Sequence, residues 1–182
     1  TMKKLLILLF SLFFLSSTSY GEEIKSLFGM SLYDNAEKYI SSNYIDSNKI
    51  KNQETHIGYY DLDISDQITE NSPYASNYWF VLDKNNIIHS IYGDREVEDL
   101  SNCLAIIETL SERIEDNYEI EFEYWEPSFP GFRTYSYYHY NILDAYYAIQ
   151  CKEEFETSQI ILQIYFDTND YADSKDAFYN SL

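Results

Sequence analysis

Glycine and basic residues are both scarce in this 182-residue sequence, and each shortage excludes a class of protein. With five glycines there is no glycine-rich phosphate-binding loop, and no serine stands in the Gly-x-Ser-x-Gly turn of many hydrolases. Only 12 Lys and Arg oppose 31 Asp and Glu, and a net charge of -19 repels nucleic acid and anionic lipid headgroups. We therefore expect no cofactor and no nucleic-acid partner.

A long apolar run is also missing, apart from one near the start of the chain. There, two lysines precede an apolar run over residues 5–15, which is too short to cross the roughly 30 Å core of a bilayer, and small polar residues follow it. This order is typical of a secretory signal peptide. We predict a signal peptide over residues 1–21, with Thr1 extraneous to it and cleavage after Gly21, and a periplasmic or secreted destination.

The remaining residues, 22–182, have the length of one domain with one hydrophobic core. Acidity combined with 18% aromatic residues is typical of a folded domain with a solvated acidic surface, whereas acidic disordered chains are poor in aromatic residues. We expect a single secreted α+β domain that does not insert into a membrane once the signal peptide is removed.

Two cysteines, Cys103 and Cys151, allow one intramolecular pairing. Disulfides form and persist in the oxidising compartment to which a signal peptide leads. We predict a Cys103–Cys151 disulfide, which would stabilise the fold by roughly 4 kcal/mol through the entropy of the unfolded chain. The alternative is a pair of buried free thiols. A catalytic thiol is not indicated, since the sequence has no Cys-x-x-Cys motif and no histidine near either cysteine.

One long amphipathic helix and a hairpin before it form the nucleus of the predicted fold. Residues 77–82 and 87–92 are β-favouring runs separated by a turn cluster. Apolar residues then recur at steps of three and four positions, which predicts a helix over about 98–116 that presents Cys103 to the sheet. The members of this apolar stripe are Val97, Leu100, Cys103, Leu104, Ile107, Leu110, Ile114 and Tyr118.

The rest of the pattern predicts a short N-terminal helix over about 32–42, a short C-terminal helix and further strands. Alternating or β-favouring residues predict strands at 59–64, 119–125, 145–152 and 159–167. The predicted fold is an α+β two-layer sandwich, in which a mainly antiparallel sheet of about five to six strands carries the long helix and the N-terminal helix on one face.

No catalytic or metal-binding residues are indicated by spacing. His56, His89 and His139 are far apart in the sequence and stand in no recognised ligand motif. The acidic segment that begins at Asp167 starts like a calcium-binding loop, but Ala172 replaces the glycine that such a loop needs at its turn. We predict no metal site.

Five aromatic residues are the candidate ligand-binding residues: Tyr59, Trp79, Trp125, Tyr135 and Tyr137. On strand faces or loops away from the helix, amphipathic rings of this kind bind sugars, peptides or protein surfaces. The alternative is that tyrosine, of which there are 20, serves here as an ordinary sheet residue.

These observations favour a secreted or periplasmic binding or interaction domain, stabilised by a disulfide and without enzymatic activity, whose ligand is a protein or a carbohydrate. The alternative is a small periplasmic hydrolase whose acid and histidine meet only in the folded chain, and it requires a concave pocket with His89 or His139 beside a buried carboxylate. A third possibility is an envelope component that self-associates through an exposed edge strand.

Overall fold

The structure, a computed structural model, describes residues 24, 26–53, 55, 58–69, 72–141 and 145–179. The predicted signal peptide and His56 lie outside the described residues. The described helices are α1 (Ser42–Asn48), α2 (Leu100–Tyr118) and α3 (Asn169–Tyr179), with single 3-10 turns at Ala36–Lys38 and Ser65–Gln67. The strands are β1 (Ile50–Lys51), β2 (Tyr60–Asp63), β3 (Asn77–Leu82), β4 (Ile88–Val97), β5 (Glu123–Trp125), β6 (Ser128–Phe129), β7 (Phe132–Asn141), β8 (Ala145–Glu154) and β9 (Ile160–Thr168).

The nine described strands form one antiparallel sheet in the order β1-β2-β3-β4-β9-β8-β7-β5, and β6 also pairs with β7. The α+β class and the mainly antiparallel sheet are confirmed, but the predicted strand number of five to six is wrong. The strands that the prediction lacks are β1, β6 and β7. β7 has tyrosines on both faces and so shows no alternation of apolar and polar residues, while β1 and β6 have only two residues each. Such segments are too short to show an alternating pattern.

The long helix α2 packs across one face of the sheet, against β7, β8 and β9. Asp99 caps it by accepting a hydrogen bond from the amide of Asn102, and its buried stripe includes Cys103 and Ile107, one turn apart. The helix begins a few residues later than the apolar stripe suggests, because β4 continues to Val97, which pairs with Ile160 of β9.

The predicted disulfide is present. Cys103 of α2 and Cys151 of β8 are both fully buried, their Cα atoms are 6.0 Å apart, and the bond closes a separation of 48 residues. It fixes the helix to the middle of the sheet.

Within the described residues, no helix is both long enough and apolar enough to span a membrane.

The N-terminal helix predicted over 32–42 is wrong in its position. Asn35 instead caps a single 3-10 turn, and a second cap at Ser41 begins α1, which runs past the predicted end of the helix to Asn48. The side-chain oxygen of each cap accepts a hydrogen bond from an amide two or three residues ahead. A separate helix therefore begins after Ser41. Ile45 of α1 is fully buried in the same core cluster that α2 covers.

The strand predicted over 119–125 is shorter than its pattern indicates. Glu119 leaves α2 in the left-handed conformation, with φ of 52°, and the amide of Phe122 donates to the Glu115 carboxylate at 2.7 Å. This segment therefore packs back on the helix. Only β5 continues as a strand, pairing with β7 at the edge of the sheet.

Candidate functional site

The sheet has two chemically different faces. Alternate residues of β8 and β9, such as Ile149 and Leu162, are fully buried in the core beneath α2. Their neighbours along each strand point to the opposite face, because successive side chains of a strand alternate. Residues that pair across adjacent antiparallel strands share a face and form rows across the sheet. We define three such rows on the face opposite α2.

The first is the polar row, which consists of Gln163, Gln150, Ser136 and Trp125 on β9, β8, β7 and β5. Gln150 is its centre. The side-chain oxygen of Gln150 accepts hydrogen bonds from the Ser136 hydroxyl at 2.9 Å and the Tyr165 hydroxyl at 3.0 Å. Its nitrogen donates to Oε1 of Gln163 at 2.7 Å. From Ser136 through Gln150 to Gln163, the row is therefore a connected chain of uncharged donors and acceptors held on strands.

The second is the aromatic row, formed by Trp79, Tyr92, Tyr165, Ala148 and Tyr138 on β3, β4, β9, β8 and β7. Trp79 stacks on Tyr92 with ring centroids 5.9 Å apart. The Tyr138 hydroxyl donates to the Glu123 carboxylate at 2.8 Å, and this bond raises the pKa of Tyr138. Aromatic rings therefore run beside the polar row across most of the sheet.

The third row, the Asp167 row, contains Ser90, Asp167, Tyr146 and Tyr140 on β4, β9, β8 and β7. The Ser90 hydroxyl donates to Oδ1 of Asp167 at 2.5 Å. Asp167 is only 3% exposed, and burial raises the pKa of its carboxyl to about 6, although the nearby Lys175 and the Ser90 bond oppose this shift. Burial also raises the pKa of Tyr146 and of Tyr165, so both hydroxyls stay protonated near neutral pH.

A cavity of about 720 Å³ lies over these rows. Asp61 of β2 and Trp125 of β5 both line it, although their strands stand near opposite ends of the sheet order. The sheet therefore curves around the cavity. Lys175 and other residues of α3 border the cavity beside the Asp167 row. The volume falls in the range of about 300–1,000 Å³ that is usual for small-molecule sites.

The end of the cavity away from α3 is bordered by β6 and the start of β7. Phe129 and Phe132 stack with centroids 5.0 Å apart, and the ammonium of Lys152 lies 4.9 Å from the Phe132 centroid. Lys152 also pairs with Glu154 at 2.8 Å. This end therefore offers apolar rings and a lysine whose charge is already compensated.

The five predicted binding residues do not lie together. Trp125, with 55% of its surface exposed, lines the cavity. Trp79 does not line the cavity, but it stacks on Tyr92, which does. Tyr59 is buried and packs on Tyr171 and Val81.

Tyr135 and Tyr137 lie on the helix side of the sheet, so their expected placement away from the helix is wrong. Tyr135 is buried in the core, and its hydroxyl donates to Glu153 at 3.2 Å, while Tyr137 is partly buried against the same core. Both stand on β7 in register with the apolar face of β8, which brings them under α2. Whether any of the five residues binds a ligand stays a prediction.

Neither described histidine lines the cavity. His89 is half-buried beside Tyr59 and Thr168, and burial lowers its pKa. His139 is partly exposed beyond the core, with Nδ1 2.9 Å from the Glu121 carbonyl oxygen. Among the described residues there is no group of three or more His, Cys, Asp or Glu arranged to hold a metal ion. The one deeply buried carboxylate of the cavity, Asp167, is therefore without a histidine beside it among the described lining residues.

The glutamines and the serines of the cavity were not predicted as site residues. Their signal was present only in part: Gln163 and Tyr165 alternate with apolar residues along β9, which shows that the strand has a second, polar face. Which residues of other strands stand beside them depends on strand register, and alternation alone does not fix register.

Comparison of the chain with models of protein families, with curated proteins and with solved structures finds no match in any of the three. The geometry of the cavity therefore carries the functional argument.

Proposed function

We propose that this protein is an exported, non-enzymatic binding domain that holds a carbohydrate in the cavity opposite α2. One observation carries the proposal: the chain of hydrogen bonds through Ser136, Gln150 and Gln163 lies beside a row of aromatic rings inside a concave surface. Sugars present hydroxyl groups that both donate and accept hydrogen bonds, together with apolar C–H faces that pack on aromatic rings. The two rows offer both kinds of contact side by side.

Gln163 is the residue best placed to contact a ligand directly. Its side-chain oxygen accepts a hydrogen bond from Gln150. Its side-chain nitrogen donates to no acceptor in the part of the chain that the structure describes. A side-chain amide nitrogen carries two donors. A ligand hydroxyl over the polar row therefore meets donors that are already oriented, because strands β8 and β9 hold both glutamines.

The concave shape favours a carbohydrate over a protein partner. Sites for small ligands are concave and have volumes of about 300–1,000 Å³, and this site is a cavity of about 720 Å³ bordered by α3 and β6. The disulfide supports the exported location, since such bonds persist in oxidising compartments. The alternative, a hydrolase with an acid and a histidine, has no supporting geometry at His89 or His139.

Titration with a panel of oligosaccharides, both neutral and amine-bearing, followed by calorimetry, tests the proposal. We expect at least one oligosaccharide to bind, and we expect Gln163→Met to weaken its binding about 10-fold, because the ligand loses hydrogen bonds worth about 1–2 kcal/mol. Gln159→Met is the matched control, since Gln159 is exposed in the turn before β9. Failure of every oligosaccharide to bind, or equal effects of the two variants, would contradict the proposal.

A further inference from the structure

The α3 end of the cavity differs from the rest in its charge. Three carboxylates line it, from Asp61, Asp167 and Asp176, and the rings of Tyr146 and Tyr165 stand beside them. The two rings pack against each other across β8 and β9, with their centroids 5.7 Å apart. Negative charge and aromatic faces, which also attract cations, therefore meet at one end of a cavity that is otherwise lined largely by uncharged groups.

An ammonium group from the chain itself already lies there. Nζ of Lys175, on α3, is 5.7 Å from the centroid of the Tyr165 ring. Its charge also acts on Asp167 and Asp176, since it lowers the pKa of both carboxyls against the effect of burial. The arrangement thus accommodates a primary alkylammonium group between an aromatic face and two carboxylates, of which Asp167 is buried and Asp176 is exposed.

We propose that this end of the cavity is an ammonium-binding subsite, which takes the cationic group of a cavity ligand in place of the Lys175 ammonium. The proposal rests on the proposed function in one respect, namely that the cavity binds a ligand. It adds the chemical class of the group bound at this end. Applied to a carbohydrate, it selects a sugar that carries an amine.

The balance of charge favours a cation over an anion at this subsite. Asp61, Asp167 and Asp176 outnumber Lys175, and the whole chain has a net charge of -19. Ser90 supplies one hydrogen bond to Asp167, while a carboxylate accepts about four. Asp167 therefore retains acceptor capacity for an ammonium, whereas an anion would be repelled by all three acids.

The test uses n-butylammonium, which copies the side chain of lysine, and n-butanol, which has nearly the same shape without the charge. Chemical shifts of the protein measure the affinity of each probe. We expect wild-type protein to bind n-butylammonium at least about 10-fold more tightly than n-butanol, because only the cation gains the carboxylate and ring contacts.

Two variants sharpen the comparison. Asp167→Asn, which keeps an acceptor for Ser90, should reduce n-butylammonium binding about 10-fold and leave n-butanol unchanged. Lys175→Met, which removes the internal competitor and keeps a long apolar side chain, should increase n-butylammonium binding several-fold. Asp94→Asn is the matched control, because Asp94 lies on the same sheet face but outside the cavity lining. Thermal unfolding of each variant verifies that it is folded.

The outcomes separate this inference from the proposed function. Equal binding of the two probes by wild-type protein, or equal effects of Asp167→Asn and Asp94→Asn, would overturn the subsite even if neutral oligosaccharides bind. Binding of n-butylammonium at the α3 end without binding of any oligosaccharide, neutral or amine-bearing, would support the subsite and overturn the carbohydrate proposal. If neither the sugars nor the two probes bind in the cavity, both proposals fall.

Discussion

Replacing Asp167 by Asn should stabilise the protein at neutral pH. Asp167 is 3% exposed and has its pKa raised from 3.8 to about 6, chiefly by burial. Its carboxylate is therefore less stable in the folded protein than in water. Asn has nearly the same shape, carries no charge and still offers Oδ1 to the hydroxyl of Ser90. The substitution removes the cost of burying the charge and keeps the hydrogen bond.

The direction and size of the effect follow from the two pKa values. The native state holds its proton on Asp167 up to about pH 6, while the unfolded chain releases it near pH 4. The unfolded state therefore binds fewer protons within this window, and rising pH lowers the free energy of unfolding. Each pKa unit corresponds to about 1.4 kcal/mol, so the full cost is about 3 kcal/mol above pH 6 and vanishes below about pH 4.

Denaturant unfolding of the wild type and of Asp167→Asn at matched pH values measures this cost. Subtracting one free energy of unfolding from the other cancels the contributions of the remaining acids. The difference should be near zero at pH 3.5, grow in favour of the variant up to pH 6 and then stay constant. A difference that is independent of pH, or a variant that is less stable at pH 7, would refute the reasoning. Asp94→Asn serves as the control for removing one carboxylate from the same sheet face.

Three further predictions concern the core, and thermal or denaturant unfolding measures each. Replacing Cys103 and Cys151 together by Ala should lower the free energy of unfolding by roughly 4 kcal/mol, and reduction of the wild type should give a similar loss; no loss would contradict the role of the disulfide. Gly93→Ala should destabilise by about 1–3 kcal/mol, because the added Cβ would lie 2.8 Å from the ring of Phe28; an unchanged midpoint would contradict this packing. Ile107→Ala should cost about 2–5 kcal/mol and Ile107→Val about 0.5–1.5 kcal/mol, and equal costs would contradict its full burial between α2 and the sheet.

The long helix was predictable from the sequence because its signals are local. The 3.6-residue stripe of apolar residues predicted α2 to within a few residues at each end, and the pairing of two cysteines needed no structure, since only one pair exists. Where tertiary pairing competes with the local pattern, prediction failed. Val97 fits the helical stripe, but it pairs with Ile160 of β9 and therefore belongs to β4.

The two shortest strands were not predictable for a different reason. β1 and β6 contain two residues each, and their identity as strands comes from the neighbours with which they pair. The same applies to the N-terminal segment, where Asn35 and Ser41 are equally good caps for different turns. The local sequence allows a helical turn to begin after either residue. Packing on the core decides where each turn begins and ends.

The candidate site depends almost wholly on register. Gln163 and Gln150 are 13 residues apart in the sequence and meet only because β8 and β9 pair as they do. A shift of β9 by one residue against β8 would turn Gln163 towards α2 and leave Gln150 on the cavity face. Tyr135 and Tyr137 illustrate the opposite error, because aromatic residues suggest binding wherever they occur, and their register with β8 places them in the core.

The central claim is that ligand binds in the cavity opposite α2, over the polar row. The most direct measurement follows the side-chain amide resonances of Gln150 and Gln163 by NMR while an oligosaccharide panel is titrated. The account predicts that a binding oligosaccharide shifts both resonances, together with backbone amides of β8 and β9. Shifts confined to the α2 surface or to the outer edge of β5, with both glutamine side chains unmoved, would contradict it.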